Sequence, residues 1–350
     1  MHHLKLVERL GIQFSIIQAP MAGGATTPEL VAAVSNSGGL GSLGAGYMRP
    51  DEIRQAIIKI RQLTSKPFAV NLFIPEAHHA TPEQIQSACD DINLCCTELN
   101  IEISPVSKPY SLPFVDQMQI LLEEKIPVFS YAFGTLEPMW IKQLKKNGTF
   151  LIGTATTIHE AIILEASGID AIVAQGSEAG GHRGTFIGDA EEALIQLSEL
   201  IPQLVETIRV PVIAAGGIMN GKGIISAINS GASGVQMGTA FLSCFEAGIS
   251  YKYKQTLLSQ QQDNTVLTRA FSGKLARGIR NKFITCMDNR KINILDYPIQ
   301  NALTQVMRQK ARENDNIDFM SLWAGQSAHL CRSMSASDLI STLVIEAEMK

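Results

Sequence analysis

Short apolar segments alternate with longer amphipathic segments over the first two thirds of the chain. The apolar segments are rich in β-branched or small residues and run into glycine, asparagine or other turn-forming residues, a pattern typical of buried strands. The intervening segments place apolar residues at helical spacing, often behind a hydroxyl residue that can cap a helix. Eight strand candidates follow, at residues 16–20, 40–46, 67–73, 126–131, 150–154, 169–175, 210–215 and 234–239.

Strands that are separated by helical crossovers form a parallel sheet. Eight strand–helix units within about 230 residues predict the α/β class and a closed TIM (β/α)8 barrel rather than an open doubly wound sheet. The G-x-G-x-x-G spelling at 39–44 lies in and before a strand candidate, so it does not indicate dinucleotide binding. The predicted barrel spans residues 1–250, with an insertion at about 75–113.

The strand rhythm ends near residue 251, and residues 251–350 predict a smaller, mainly α-helical second domain. Its helix candidates are residues 255–262, 299–312, 318–324 and 336–350. Between them, residues 271–278 form a basic, glycine-spaced loop. Two interpretations stay open for this loop: a solvated connector, or a loop that reaches toward an anion or covers the barrel mouth.

Charge and composition narrow the class of protein. A net charge of −4 gives no basic field for a phosphate backbone, so a nucleic-acid partner is not expected. The chain has no run of about 18 apolar residues and no apparent signal peptide, which predicts a cytoplasmic protein without a membrane span. The six cysteines have no C-x-x-C spacing, and we interpret all of them as reduced thiols.

In a TIM barrel the carboxyl ends of the strands converge on one face, which carries the active site. The residues at these ends are neutral amides, a hydroxyl and bare backbone, including Asn71, Gln175, Gly217 and the run Gln236-Met237-Gly238-Thr239. Such groups can bind a heterocycle and a phosphate monoester without a metal. We therefore expect a phosphorylated planar cofactor, and FMN fits better than a dinucleotide. No metal-binding motif is present at the strand ends.

The loop at 174–184 follows the sixth strand candidate and contains four glycines within nine residues. His182 lies in it, beside Glu178 and Arg183. An imidazole can accept or donate a proton near neutral pH, so His182 is the candidate catalytic residue. The alternative is a flexible turn that carries a surface histidine.

Several segments together resemble the nitronate monooxygenase family (formerly 2-nitropropane dioxygenase), class I. They are residues 18–23, 35–41, 174–184, 211–217, 235–239, 271–278 and 296–301, so the similarity covers nearly the whole chain. The resemblance implies an FMN-dependent TIM barrel whose second domain lies over the active site. It also implies oxidation of alkyl nitronates by O2, with propionate 3-nitronate as the natural substrate and detoxification as the role.

The resemblance also implies roles for individual residues. His182 would be catalytic, Met21 and Ala22 would lie along the flavin, and Tyr297 would line the substrate pocket. FMN would be held by Asn71, Gln175, Gly180, Gly217, Gln236, Met237, Gly238 and Thr239. Three alternatives stay open: an NADH-dependent enoyl-acyl-carrier-protein reductase, an NADH:quinone reductase, and a non-catalytic flavin-binding protein. The protein could be a monomer or a homodimer.

Overall fold

The computed structural model describes residues 2–290 and 294–349. It contains all eight predicted barrel strands. In chain order, the strands are β1 (Ile16–Gln18), β2 (Gly41–Gly44), β3 (Phe68–Phe73), β4 (Val128–Ala132), β5 (Phe150–Ala155), β6 (Ala171–Gln175), β7 (Gly181–His182), β8 (Val212–Ala215), β9 (Gly234–Met237), β10 (Thr265–Thr268) and β11 (Ala276–Ile279).

Eight of these strands form one parallel sheet in the order β1-β9-β8-β6-β5-β4-β3-β2. The two end strands meet through Leu40, whose amide donates to the Ile16 carbonyl at 3.0 Å. The Leu40 carbonyl in turn accepts from the Gln18 amide at 3.0 Å. These bonds close the sheet, and the fold is the predicted TIM barrel.

Helices connect and surround the strands. They are α1 (His2–Leu10), α2 (Pro28–Asn36), α3 (Pro50–Leu63), α4 (Pro82–Cys95), α5 (Phe114–Glu123), α6 (Pro138–Lys146), α7 (Ile158–Ala166), α8 (Leu197–Thr207), α9 (Gly221–Asn229), α10 (Thr239–Leu242), α11 (Tyr251–Leu258), α12 (Lys282–Arg290), α13 (Ile299–Leu303), α14 (Gln305–Glu313) and α15 (Ala336–Glu346). Short 3₁₀ turns occur at Thr97–Leu99, Ile317–Phe319 and Ala328–Leu330. The start of α2 shows how a hydroxyl residue caps a helix: the Thr27 hydroxyl accepts a hydrogen bond from the Leu30 amide at 3.0 Å.

The barrel interior is packed with aliphatic side chains from alternate strand positions. Ile17, Val173 and Ile213 belong to this central cluster and are essentially inaccessible to solvent. Leu6 and Leu10 of α1 join the same cluster, so the N-terminal helix closes the amino end of the barrel. Each such side chain stabilises the fold by about 1.5–3 kcal/mol relative to its exposed state. The opposite end of the barrel, at the carboxyl ends of the strands, is the end that carries the active site in this fold.

A second hydrophobic cluster joins the insertion to the C-terminal region. Cys89 and Ile92 of α4 pack in it together with Leu257, Phe283 and Met307. The final helix, α15, instead returns to the barrel and packs against α2 and α9. The insertion and the C-terminal region therefore bury apolar side chains against each other as well as against the barrel.

The C-terminal region contains two strands that the sequence did not predict. Strands β10 and β11 form a three-stranded antiparallel sheet with β7, in which Ala276 lies opposite His182 and Arg277 opposite Gly181. The interpretation of residues 271–278 as a solvated connector is therefore wrong. Nearly a hundred residues separate β7 from β11 in the chain, and a pairing at that distance leaves no local pattern to read.

Three further expectations need correction. Residues 318–324 are not a helix, because only Ile317–Phe319 forms a 3₁₀ turn and Trp323 then pairs with Gly278. The sequence of the insertion predicts one helix over residues 82–99, but helix α4 ends at Cys95 and a separate 3₁₀ turn follows at Thr97–Leu99. Not all cysteines are reduced thiols, since Cys95 and Cys286 form a disulfide. They are 191 residues apart and are joined because α4 packs against α12, which their spacing could not reveal.

Candidate functional site

A cavity of about 290 Å³ opens at the carboxyl ends of the barrel strands. All nine residues that were predicted to form the site line this cavity, and Met21 and Ala22 line it as well. The nine are Asn71, Gln175, Gly180, His182, Gly217, Gln236, Met237, Gly238 and Thr239. They come from strands and loops spread over about 170 positions of the chain, and barrel closure brings them to one face.

One corner of the cavity presents backbone N–H groups. In the described part of the chain, the amides of Gly217, Gly238 and Thr239 donate no hydrogen bond to a protein acceptor. Gly217 has φ = 68°, in the left-handed region, which favours glycine over any residue with a Cβ atom. Unpaired amides beside side chains of small volume make a site for an anion such as a phosphate.

His182 faces another part of the same cavity. Its Nε2 atom lies 2.8 Å from the Ser272 hydroxyl oxygen. Its ring centroid is 5.2 Å from that of Trp323 and 6.0 Å from that of Phe133. Because β7 pairs with β11, the backbone of His182 is fixed in a sheet and is not free in a flexible turn. The flexible-turn interpretation of His182 is therefore wrong.

The surroundings of His182 favour its neutral form. Burial has the largest effect, and the positive charges of Lys274 and Arg308 add to it, which together lower the pKa of His182 to about 3. At pH 7 the imidazole is therefore unprotonated, and it is a weak base until a negative charge beside it offsets the two cations. The same two cations favour a negative charge placed beside the ring.

Gln175 holds the loop that carries His182. Its side-chain nitrogen donates to the His182 carbonyl at 3.0 Å, and its side-chain oxygen accepts from the Gly184 amide at 2.7 Å. Both ends of the carboxamide are thus engaged within the protein. One of its two N–H bonds stays available for a ligand in the cavity.

Glu178 and Arg183, which flank His182 in the sequence, do not line the cavity. Both Glu178 carboxylate oxygens accept from the Leu197 amide, at 3.0 and 3.1 Å. The fully buried Arg183 donates to the carbonyls of Gly176 and Gln175, at 2.5 and 3.0 Å, and burial lowers its pKa to about 10. Both side chains therefore fix the backbone of the glycine-rich loop.

The loop at 271–278 contributes to the site as well. Phe271 and Ser272 are buried and line the cavity. Lys274 forms an ion pair with Glu76 of the insertion, and its ammonium lies 4.5 Å from the centroid of the Phe133 ring. The loop therefore covers the barrel mouth, which was the second of its two interpretations.

Sequence reasoning missed several residues that line the cavity. Tyr47, Phe133, Arg308 and Trp323 lie in turns, in α14 or in irregular segments, where no motif marked them. Ser272 lies in the loop at 271–278, but no local pattern distinguishes it from its neighbours. Tyr297 is not among the lining residues, although its ring centroid lies 6.3 Å from that of His182.

Residues 2–290 and 294–349 carry neither of two further kinds of feature. No cluster of three or more histidine, cysteine, aspartate or glutamate side chains is arranged to hold a metal ion there. Within the same ranges, none of the helices combines the length and the apolar character that crossing a bilayer requires.

Comparison with known proteins agrees with this geometry. The probable nitronate monooxygenase of Staphylococcus saprophyticus is 44% identical over 340 residues, covering 97% of this chain and 96% of the relative. The nitroalkane oxidase of Streptomyces ansochromogenes is similar in structure, with a TM-score of 0.90, 36% identity and 98% coverage of both chains. FabK from Thermotoga maritima has a TM-score of 0.77 at 30% identity, covering 98% of this chain and 96% of its own.

The family model for nitronate monooxygenase matches residues 4–346, nearly the full length of the protein. The match includes the barrel, the glycine-rich loop with His182 and the C-terminal residues that line the cavity. The chain therefore belongs to the nitronate monooxygenase family of oxidoreductases.

Proposed function

We propose that this protein is an FMN-dependent nitronate monooxygenase, which uses O2 to oxidise alkyl nitronates in a detoxifying reaction. Its family already makes it an enzyme that oxidises nitronates. The observation that carries the finer proposal is the shared cavity: unpaired backbone amides at one corner and a neutral histidine at another. A phosphate-bearing planar cofactor can use both at once.

FMN fits the groups that are present. The amides of Gly217, Gly238 and Thr239 would hold the phosphate, where a Cβ atom at Gly217 would strain the backbone. The side-chain amides of Asn71, Gln175 and Gln236, which line the cavity, offer donors and acceptors to the heterocycle. Gly180, Met237, Met21 and Ala22 would complete its walls. These groups are sufficient for FMN, which contains a single nucleotide unit, and a dinucleotide would need further contacts for its second nucleotide.

The chemistry divides between cofactor and protein. FMN would supply the one-electron chemistry between the nitronate and O2. His182 would supply a hydrogen-bond partner for the nitronate. With a neutral nitroalkane it would take the α-proton as the negative charge that develops on the substrate raises the pKa of the imidazole. Lys274 and Arg308 provide positive charge that favours the anionic substrate beside the imidazole. The aromatic rings of Phe133 and Trp323 lie beside the imidazole and make that side of the cavity apolar.

We also propose that the two parts of the chain have different roles. Residues 1–250 would bind the cofactor, while residues 251–350, together with the insertion at 75–113, would cover the active site. The second hydrophobic cluster, which unites α4 with α12 and α14, supports this division. The ion pair between Lys274 and Glu76 supports it too, because it connects the two covering segments beside Phe133. A monomer or a homodimer is compatible with this arrangement.

Oxygen uptake tests the function. Purified protein should be yellow, release FMN on denaturation, and consume O2 with release of nitrite when propionate 3-nitronate is added. A colourless protein that does not bind added FMN would exclude the proposal. Anaerobic bleaching of the flavin by NADH, together with no O2 uptake on nitronate, would instead indicate one of the two reductases. A yellow protein inert to both reagents would indicate a non-catalytic flavoprotein.

A further inference from the structure

Glu160 is a fully buried carboxylate that the proposed reaction does not use. It lies in the first turn of α7 and does not line the cavity. One carboxylate oxygen accepts from the amide and the hydroxyl of Thr156, at 2.7 and 2.8 Å. The other oxygen accepts from the amides of Phe186 and Ile187, at 2.6 and 3.1 Å. Because a buried carboxylate is costly unless it is hydrogen-bonded, these four donors account for its presence in the interior.

The same hydrogen bonds fix the segment that follows His182. Residues 183–187 leave β7 without regular secondary structure, so the amides of Phe186 and Ile187 depend on a side chain for their acceptor. Thr185 is held at the same place, since its hydroxyl oxygen lies 2.8 Å from that of Thr156. Three successive residues are therefore anchored at the start of α7.

The Thr185 carbonyl in turn holds the side chain of Lys274. It accepts from the Lys274 ammonium at 3.3 Å. The ammonium also pairs with Glu76 of the insertion and lies 4.5 Å from the centroid of the Phe133 ring. Thr185 is buried whereas Glu76 is partly exposed, so the Thr185 carbonyl is the inner of these two hydrogen-bonding anchors.

The location of the Lys274 ammonium affects His182. Its positive charge acts on the imidazole, as does that of Arg308 from α14. The loop that carries Lys274 also supplies Ser272, whose hydroxyl oxygen lies 2.8 Å from the imidazole. Because the energy of a charge pair changes with distance, a displaced ammonium would stabilise a negative charge beside His182 less. Glu76 would then hold the ammonium from the side of the insertion.

We propose that Glu160 is a positioning residue, which holds the Lys274 ammonium in place beside His182. It acts through the Thr185 carbonyl, because the hydrogen bonds of Glu160 fix the residues around that carbonyl. This inference rests on the proposed function. A competing route runs through Arg183, because the charge of Glu160 also acts on that buried guanidinium. The two routes differ in what Glu160 must supply: the first needs its reach, the second its charge.

Two substitutions at Glu160 separate reach from charge. Glu160→Asp keeps the negative charge but is shorter by a methylene, so it cannot reach both pairs of donors. Glu160→Gln keeps the length, and its single oxygen can still accept from the amides of Phe186 and Ile187. In the holoenzyme, measured by O2 uptake, kcat/KM for propionate 3-nitronate should fall about 3- to 10-fold in Glu160→Asp and less than about twofold in Glu160→Gln. The reverse order would overturn the inference in favour of Arg183.

A double-mutant cycle with Lys274→Met tests whether Lys274 transmits the effect. Lys274→Met alone should lower kcat/KM by about 10-fold or more, because it removes the charge itself. Adding Glu160→Asp to it should change kcat/KM by less than about twofold, since no ammonium is left to position. Losses that multiply in the double variant would overturn the inference, because Glu160 would then act on the reaction without Lys274.

Glu165→Asp is the matched control. Glu165 lies in the same helix, and one of its oxygens likewise accepts from two successive amides, those of Arg209 and Val210, at 2.6 and 3.0 Å. These amides lie just before β8, at the amino ends of the barrel strands. Glu165→Asp should therefore leave kcat/KM within about twofold of the wild type. A loss equal to that in Glu160→Asp would show that shortening either anchor has the same effect, and would overturn the inference.

Amine labelling tests the inference without turnover. Acetic anhydride acetylates lysine side chains, and mass spectrometry of the peptides gives a rate for each lysine. In FMN-loaded Glu160→Asp, Lys274 should react about threefold faster or more than in the wild type, while the surface residue Lys310 keeps its rate. An unchanged rate at Lys274 would contradict this inference alone. A wild type that consumes no O2 with a nitronate, although Lys274 responds as expected, would contradict the proposed function alone.

Discussion

The imidazole of His182 and the hydroxyl of Ser272 lie 2.8 Å apart, although 90 residues separate them in the chain. This contact joins the loop after β6 to the segment that precedes β11. The backbone connects the same two segments, because Ala276 pairs with His182 in the small antiparallel sheet. The candidate catalytic residue is thus held by the region that covers the cavity as well as by the barrel itself.

Replacement of His182 by alanine should separate catalysis from cofactor binding. The variant should retain FMN, because the proposed phosphate donors are backbone amides elsewhere in the cavity. Turnover of a neutral nitroalkane should fall about 10²–10⁴-fold where proton transfer limits the rate. Steady-state O2 uptake, with flavin content measured from absorbance, checks both statements. Unchanged turnover of the nitroalkane would remove His182 from the proposed role.

Ser272→Ala should lower activity through the orientation of His182. The variant removes the contact with His182 and the two hydrogen bonds that the Ser272 hydroxyl makes with the Lys274 backbone. The contact with His182 is worth about 1 kcal/mol, so we expect kcat to fall by roughly tenfold or less, with FMN retained. Ser35→Ala is a suitable control, since that serine is equally buried but bonds the Pro67 carbonyl at the amino end of the barrel. A Ser272→Ala enzyme with wild-type kcat would show that the 2.8 Å contact does not position the imidazole.

Acid should destabilise the protein through His182. The pKa of His182 is about 3 in the fold and about 6.5 in the unfolded chain, so the unfolded state binds more protons between these values. The stabilisation that the neutral His182 provides is therefore fully present above pH 6.5 and is lost as the pH falls toward 3. Between pH 7 and pH 5 this single group accounts for about 2 kcal/mol.

Urea unfolding at both pH values provides the measurement for this prediction. In His182→Asn the difference in unfolding free energy between pH 7 and pH 5 should be smaller than in the wild type by about 1–2 kcal/mol. Other groups contribute equally to both proteins, so the difference isolates His182. Identical pH dependence in the two proteins would mean that the imidazole keeps its ordinary pKa.

Gly180→Ala should disturb the contact between the glycine-rich loop and the C-terminal region. A Cβ atom at Gly180 would lie 2.5 Å from the backbone carbon of Ala324 and the backbone nitrogen of Gly325, so one segment must move. We expect a loss of stability of about 1–3 kcal/mol together with lower FMN affinity. Thermal unfolding with and without added FMN measures both effects.

Gly223→Ala is the control for Gly180→Ala. Gly223 lies in helix α9, and the atom nearest to a new Cβ atom there is the Cγ2 methyl carbon of Ile218 at 3.3 Å, with no backbone atom closer than 3.5 Å. Alanine also favours the helix over glycine, so stability should stay the same or rise by up to about 1 kcal/mol. If both alanine variants behave alike, the close approach at Gly180 does not constrain the loop.

Local sequence patterns were sufficient for the barrel and for much of the cavity lining. Strand and helix periodicity repeats eight times, and each unit carries its own signal, so no long-range information was needed to count the units. Asn71, Gln175 and Gly217 could be placed near one another because every strand end of a barrel meets the same face. The resemblance to nitronate monooxygenases supplied Gly180.

Contacts between distant segments could not be predicted in the same way. The pairing of β7 with β11, the disulfide between Cys95 and Cys286, and the orientation of Arg183 toward backbone carbonyls depend on how covering segments pack. Arg308 shows the difference most clearly. Its residue type and helical position are evident in the sequence, but whether its charge meets solvent, a carboxylate or a cavity is decided only by packing.

By itself the sequence determined the architecture and the chemical types available at the barrel mouth, because short-range periodicity and strand-end position are properties of neighbouring residues. Only the tertiary structure decided which of those groups face one another: His182 toward Ser272, Gln175 toward the loop it holds, and Arg308 toward the cavity. The physical reason is that burial, electrostatic environment and hydrogen-bond pairing depend on distances across the fold, which segments far apart in the chain create together.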